Sequence, residues 1–293
     1  MAIFTGSATA IVTPFGADGA INFEAFGRLI DFQIENGTDA LVVCGTTGEA
    51  STLTDDEHIE CIKFTVSYVN KRVPVIAGAG SNDTAHGVEL CKSAQKVGAD
   101  ALMLVTPYYN KTTQKGLVEH FEIMAKSTDL PIIVYNVPVR TNLNILPQTM
   151  LKLSKIENIV ATKEASGDLA QVAELANICG DIIDIYSGND DIIIPIMSLG
   201  GKGVISTMGN IAPRDTHDMV MLFLEGKLDE ARRLFLRAVP LMKALFNEVN
   251  PIPVKEAVNL LGMEAGGCRR PLTTIEPANR EILISAMKEY GLL

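Results

Sequence analysis

The chain has 293 residues, 47% of them apolar and 20% charged, ordinary proportions for a soluble globular protein with a large core. A formal charge of −10 and a pI near 5.0 argue against a nucleic-acid partner, which needs a basic face, and no basic stripe appears. The opening MAIFTGSATAIVTPF has neither a charged n-region nor a long apolar h-region, so no signal peptide is expected. No apolar run reaches membrane-spanning length, since Pro195 and two glycines break DIIIPIMSLGGKGVIS. Cys44, Cys61, Cys91, Cys179 and Cys268 form no CxxC pair, which points to reduced thiols packed as small hydrophobes in a cytoplasmic protein. Scattered histidines without HExxH give no metal site.

In chain order, short β-rich runs recur: SATAIVTPF, ALVVCGTTGE, PVIAGAGS, ALMLVTPYYN, PIIVYNVP, IVATKEAS, DIYSGND and GVISTMGN. Between them lie stretches with helical spacing, among them FEAFGRLIDFQIENG, DDEHIECIKFTVSYV and TAHGVELCKSAQKVG. Thr54 and Glu57 fit a capping box, and Gly98 fits a helix stop. Several runs are almost continuously apolar, the pattern of parallel strands covered on both faces. Eight strand–helix units fill residues 7 to about 224, the number that closes a (β/α)₈ TIM barrel. A doubly wound open sheet competes, because local pattern does not report closure; the incomplete glycine fingerprint in GAGSND argues against it. The expected division is an α/β barrel over 1–224 and a C-terminal helical extension over 225–293.

Active sites of such barrels lie at the C-terminal strand ends. There the second run ends in Gly45–Glu49, the fourth in Thr106–Tyr109, the fifth in Tyr135 and Asn136 with Arg140 just beyond, the sixth in Lys163 and Glu164, and the seventh in Ser187–Asp190. An isolated Lys163 reads as a solvated amine paired with Glu164. Surrounded by hydroxyls, phenols and an arginine, it reads instead as a desolvated amine able to form a Schiff base with a carbonyl. The Thr46–Thr47 turn, otherwise a tight glycine corner, suits a keto acid's carboxylate. Tyr135 is either core packing or a proton relay, and Arg140 either a solvated side chain or a fork for a second carboxylate.

Together GTTGE (45–49), TPYYN (106–110), YNVPVRT (135–141), ATKEASGD (161–168), SGND (187–190), GVIS (203–206) and NPIPVKEAVNLLG (250–262) make the chain resemble, from end to end, the dihydrodipicolinate synthase family of class I aldolases in the N-acetylneuraminate lyase superfamily. The resemblance implies a Schiff base between Lys163 and pyruvate, with Thr47 on the pyruvate carboxylate. It implies a relay of Tyr135, Thr46 and Tyr109, the last borrowed from a neighbouring subunit. Arg140 then meets the carboxylate of L-aspartate-4-semialdehyde, and the backbone of Gly188 and Ile205 lines the pyruvate pocket. The implied product is 4-hydroxy-tetrahydrodipicolinate, on the route to diaminopimelate and lysine. No metal or organic cofactor is implied, and the expected assembly is a tight dimer paired into a tetramer.

Lysine-inhibited members of that family bind lysine at positions resembling Ala50, Ser51, Asp55, His58, Asn82, His86 and Tyr108. They carry glutamate where this chain has His86, histidine where it has Asp55, and serine where it has Ala50. Losing the glutamate removes the partner of lysine's ammonium, so weak or absent feedback is expected. Two rivals remain at this stage. One is a sister aldolase acting on N-acetylneuraminate or a 2-keto-3-deoxy sugar acid; the other is a non-catalytic keto-acid sensor.

Overall fold

Strands that are apolar on both faces need cover inside and outside, and a closed barrel ringed by helices supplies both. The computed structural model describes residues 2–293. Its strands are β1 (Gly6–Ala10), β2 (Ala40–Val43), β3 (Val75–Gly78), β4 (Ala101–Val105), β5 (Ile132–Asn136), β6 (Ile159–Glu164), β7 (Asp184–Ser187) and β8 (Gly203–Ser206). All pair in parallel, in chain order, and β8 returns to β1 through Gly6↔Gly203 and Ala8↔Ile205. That last pairing decides between the barrel and the open sheet.

Helices α1 (Phe23–Glu35), α2 (Asp55–Val69), α3 (Thr84–Lys96) and α4 (Gln114–Ala125) link the first five strands. The next crossover carries two short helices, α5 (Pro138–Thr141) and α6 (Pro147–Leu153). Then α7 (Leu169–Cys179), α8 (Ile193–Ser198) and α9 (Pro213–Leu224) complete the ring. The capping box forms as expected: Glu57 N–H donates to Thr54 Oγ1, and Thr54 N–H donates back to the Glu57 carboxylate. Gly98 sits just past α3 at φ +91°, where a side chain is strained. None of the helices among the described residues is long and apolar enough to cross a membrane.

Two apolar layers result. Ala8, Val42, Ile76, Ala101, Ile133 and Ala161 belong to the inner layer that fills the barrel, where alanines alternate with larger apolar side chains. A larger shell of Leu, Ile, Val and Met packs strands against helices. Cys44, Cys61, Cys91 and Cys179 are buried thiols, and burial pushes Cys91 up to about 12.

After the ring come α10 (Leu228–Ala244), α11 (Ile252–Leu260) and α12 (Pro277–Tyr290). Their Leu241, Val254 and Leu283 join the outer apolar shell. The tie back to the barrel is ionic: Lys255 Nζ lies 2.8 Å from Glu49 Oε1, the two side chains only 2% and 1% exposed. Lys255 also donates to the carbonyls of Thr13 (2.9 Å) and Gly267 (2.6 Å). Lys255→Met strands the Glu49 carboxylate in the interior and is expected to cost about 3–5 kcal/mol of stability. Adding Glu49→Gln is expected to return part of that loss, both read from urea-unfolding midpoints.

Candidate active site

Neighbouring residues on a strand face opposite ways. On β6 this sends Lys163 into the barrel and Glu164 outward. Glu164 accepts hydrogen bonds from Ser166 N–H (2.7 Å) and Asn136 Nδ2 (3.2 Å) rather than pairing with the lysine. Strand register sets Tyr135 of β5 beside Lys163, and the Lys163 amine lies 4.3 Å from the centre of the Tyr135 ring.

Lys163 is 5% exposed. Burial strips its ammonium of hydration and lowers its pKa from 10.5 to about 7; the Asp190 carboxylate opposes this, and the Arg140 guanidinium adds to it. At pH 8 such an amine is neutral by roughly ten to one, whereas an ordinary lysine is neutral in roughly one molecule in 300. Burial also lifts the Tyr135 phenol to about 12, against the pull of Arg140 and the Thr46 hydroxyl, so at neutral pH it is a proton donor. Asp190 follows β7 and is itself raised by burial, with the backbone N–H groups of Met208 (2.8 Å) and Thr207 (3.1 Å) donating to Oδ2. Its Oδ1 is buried without a partner.

The turn after β2 has an unusual backbone. Cys44 and Glu49 bracket it at φ +54° and +55°, left-handed values that cost a side-chain-bearing residue energy. In exchange, the N–H groups of Thr46, Thr47 and Gly48 have no acceptor among the described residues. Thr46 and Thr47 line a concave cavity surface suited to a carboxylate. The Glu49 carboxylate anchors the turn from behind through Lys255 and the Arg269 N–H (2.8 Å).

A cavity of about 350 Å³ gathers Thr46, Thr47, Tyr135, Arg140, Lys163 and Gly188 on its wall. Arg140 is presented by α5, whose Pro138 and Thr141 start and end a single turn, and it donates to the Asn250 carbonyl at 3.1 Å. Gly188 packs its backbone so closely on β6 that an added Cβ would lie 2.7 Å from the Ala165 Cβ, so only glycine fits. Ile205 is buried in β8 within the inner layer and does not line this cavity. Tyr109 is not drawn in either: it is 93% exposed at φ +68° and points off this subunit's surface.

Sequence reasoning passed over Asn250, whose side chain donates to Thr47. The only signal was its place at the head of NPIPVKEA. Met103 and Val137, also on the wall, read in the sequence as ordinary strand and loop hydrophobes.

A second cavity of about 380 Å³ shares Thr46, Tyr135 and Arg140 with the first and continues past Ala50, Ser51 and His58. His86 sits there between Asp55 Oδ1 (3.0 Å) and Ser81 Oγ (3.1 Å). His58 bonds to the Gly78 carbonyl at 2.7 Å, and burial lowers its pKa.

A parallel barrel with one dehydrated lysine amine among hydroxyls at its C-terminal mouth defines a class I aldolase-type lyase. Residues 3–290 match the model of the dihydrodipicolinate synthetase family. The 4-hydroxy-tetrahydrodipicolinate synthase of Lachnoclostridium phytofermentans is 60% identical, with both chains covered in full. The solved dihydrodipicolinate synthase of Aquifex aeolicus superposes with a TM-score of 0.96 at 46% identity, 99% of each chain covered. A structure described as a monomeric dihydrodipicolinate synthase variant gives 0.97 at 41% identity, covering 99% of this chain and 98% of that one. The chain belongs to the dihydrodipicolinate synthetase family and is a lyase of that family.

The charges around Lys163 make a signed prediction. Competitive acylation of the amine across pH is expected to show a midpoint near 7. Asp190→Asn removes a charge that favours the ammonium, so the midpoint moves to lower pH. Arg140→Ala removes a charge that opposes it, so the midpoint moves up.

Proposed function

We propose that this lyase condenses pyruvate with L-aspartate-4-semialdehyde to give 4-hydroxy-tetrahydrodipicolinate. The observation that carries this reading is a buried Lys163 amine, its pKa lowered by burial to about 7, that lies 4.3 Å from the centre of the Tyr135 ring on the wall of a cavity open to small molecules. The activity named for the full-length relatives supports the choice of reaction.

In this reading Lys163 attacks the ketone carbon of pyruvate, and the carbinolamine loses water to leave a protonated imine. Tyr135, with Thr46, hands on the protons of those two steps. Thr47 and the free N–H groups of its turn hold the pyruvate carboxylate, while the backbone of Gly188 bounds the far side of the pocket. The imine nitrogen then draws electrons from the pyruvate methyl, which releases a proton and becomes an enamine carbon. That carbon bonds to the aldehyde carbon of the semialdehyde, whose own carboxylate rests on Arg140. The semialdehyde's amine finally adds to the imine carbon, closes the ring and expels the Lys163 amine. Pyruvate and semialdehyde thus become product and one water, and no electrons are exchanged with an outside reagent.

Tyr109 enters as a residue given to a second copy of the chain, which its full exposure and left-handed backbone support. The working unit is then at least a dimer, with a dimer of dimers as the proposed assembly. The second cavity does not favour lysine as a feedback ligand, because His86 brings no carboxylate and Asp55 is already engaged by it.

Borohydride reduction with pyruvate is expected to leave a covalent adduct that maps to Lys163 and is absent from Lys163→Ala; an unlabelled wild type would falsify the proposal. Tyr135→Phe is expected to lower kcat by about 10²–10⁴-fold. Each variant alone being impaired, mixing Lys163→Ala with Tyr109→Phe subunits is expected to restore turnover, because a mixed dimer contains one site with both native groups. No recovery would return Tyr109 to its own subunit or remove it from the reaction. Turnover of the semialdehyde, against little turnover of N-acetylmannosamine or glyceraldehyde with pyruvate, separates the sister aldolases. Millimolar L-lysine is expected to leave that turnover nearly unchanged.

A further inference from the structure

Asn250 lies in the segment between α10 and α11, 203 positions along the chain from the residue it touches. Its side-chain Nδ2 donates to Thr47 Oγ1 at 2.9 Å, and its backbone carbonyl accepts from Arg140 Nη2 at 3.1 Å. It is buried and lines the same 350 Å³ cavity as Lys163. One residue of the C-terminal segment therefore contacts both groups that present hydrogen-bond donors to substrate carboxylates.

The hydrogen bookkeeping at Thr47 gives this contact a direction. A hydroxyl has one hydrogen to donate and lone pairs to accept with. Thr47 Oγ1 accepts from Asn250 and makes no other hydrogen bond among the described residues. Its own hydrogen is thus kept off the Asn250 side and left for the cavity. The opposite arrangement, with the residue at 250 accepting from Thr47, would aim oxygen lone pairs at an incoming carboxylate. The Asn250 Oδ1 is buried with no partner, so the amide's one side-chain bond is the one to Thr47.

We propose that Asn250 is a positioning residue for keto-acid binding, which sets the Thr47 hydroxyl as a donor toward the substrate carboxylate. The proposal rests on the assignment of Thr47 to that carboxylate made above. It distinguishes an amide donor from a space-filling side chain. Asn250→Asp keeps the size but supplies only acceptors, pulls the Thr47 hydrogen away from the cavity and adds a negative charge. Asn250→Ala merely frees the hydroxyl to rotate.

The test is the pyruvate concentration for half-saturation, measured both in turnover and in borohydride trapping on Lys163. Asn250→Asp is expected to raise it by about 10–100-fold, the scale of one hydrogen bond to a charged group. Asn250→Ala is expected to raise it less, and kcat at saturating pyruvate is expected to change much less than KM in both. In a Thr47→Val background, Asn250→Ala is expected to have no further effect on pyruvate. Wild-type saturation in Asn250→Asp, an aspartate variant milder than the alanine variant, or full additivity with Thr47→Val would each overturn the positioning role while leaving the Lys163 chemistry intact. A wild-type protein that traps no pyruvate would overturn the underlying reaction and this role with it.

Discussion

An ammonium group placed inside a ring of eight strands loses its hydration, and that loss lowers the Lys163 pKa to about 7, so its proton is held far more weakly than an ordinary lysine's. Full pairing with a carboxylate would have held the charge in place and silenced the nucleophile. Instead Asp190 acts from beyond β7 and Arg140 from α5, with opposite signs, and burial outweighs both. The neutral amine follows from where β6 ends and which way its pleat turns. A one-residue slip of β6 would put Glu164 inside and Lys163 among the helices.

Everything else at the mouth is arranged around that amine. Register brings Tyr135 alongside, and a cavity opens beside the pair. The turn after β2 is strained at Cys44 and Glu49, and the strain is held by bonds from far along the chain. Lys255 and the Arg269 N–H grip the Glu49 side chain, while Asn250 bonds to Thr47. The C-terminal helices thus do more than cover apolar surface. They also hold the backbone of the turn after β2, through bonds that span about two hundred residues of chain.

Much of this was legible in the chain. Almost unbroken apolar runs marked parallel strands, and Thr54 with Glu57 marked the start of α2. Lys163 was conspicuous as a charge at the end of a core-forming strand. Closure was not legible, because β1 and β8 carry no local sign of meeting and the same runs would build an open sheet. Asn250 stands in the NPIPVKEA stretch with no local sign of a role, since a hydrogen bond between residues 47 and 250 leaves no periodic trace. Glu49 looked like the tail of a glycine turn until Lys255 was found opposite it. Tyr109 was expected to serve a neighbouring subunit; it is nearly fully exposed and lies off the wall of its own cavity, as a residue reaching a second copy would.

By itself the sequence determined which segments are strands or helices and which end of each strand carries polar groups. Those properties follow from periodicity, capping and turn chemistry within a few residues. Only the tertiary structure decided that the strand ends meet in one cavity, that the Lys163 amine is buried beside Tyr135, and that Asn250 of the C-terminal segment bonds to Thr47. Dehydration and hydrogen-bond direction depend on atoms brought together from distant parts of the chain, and no local stretch of residues contains that information.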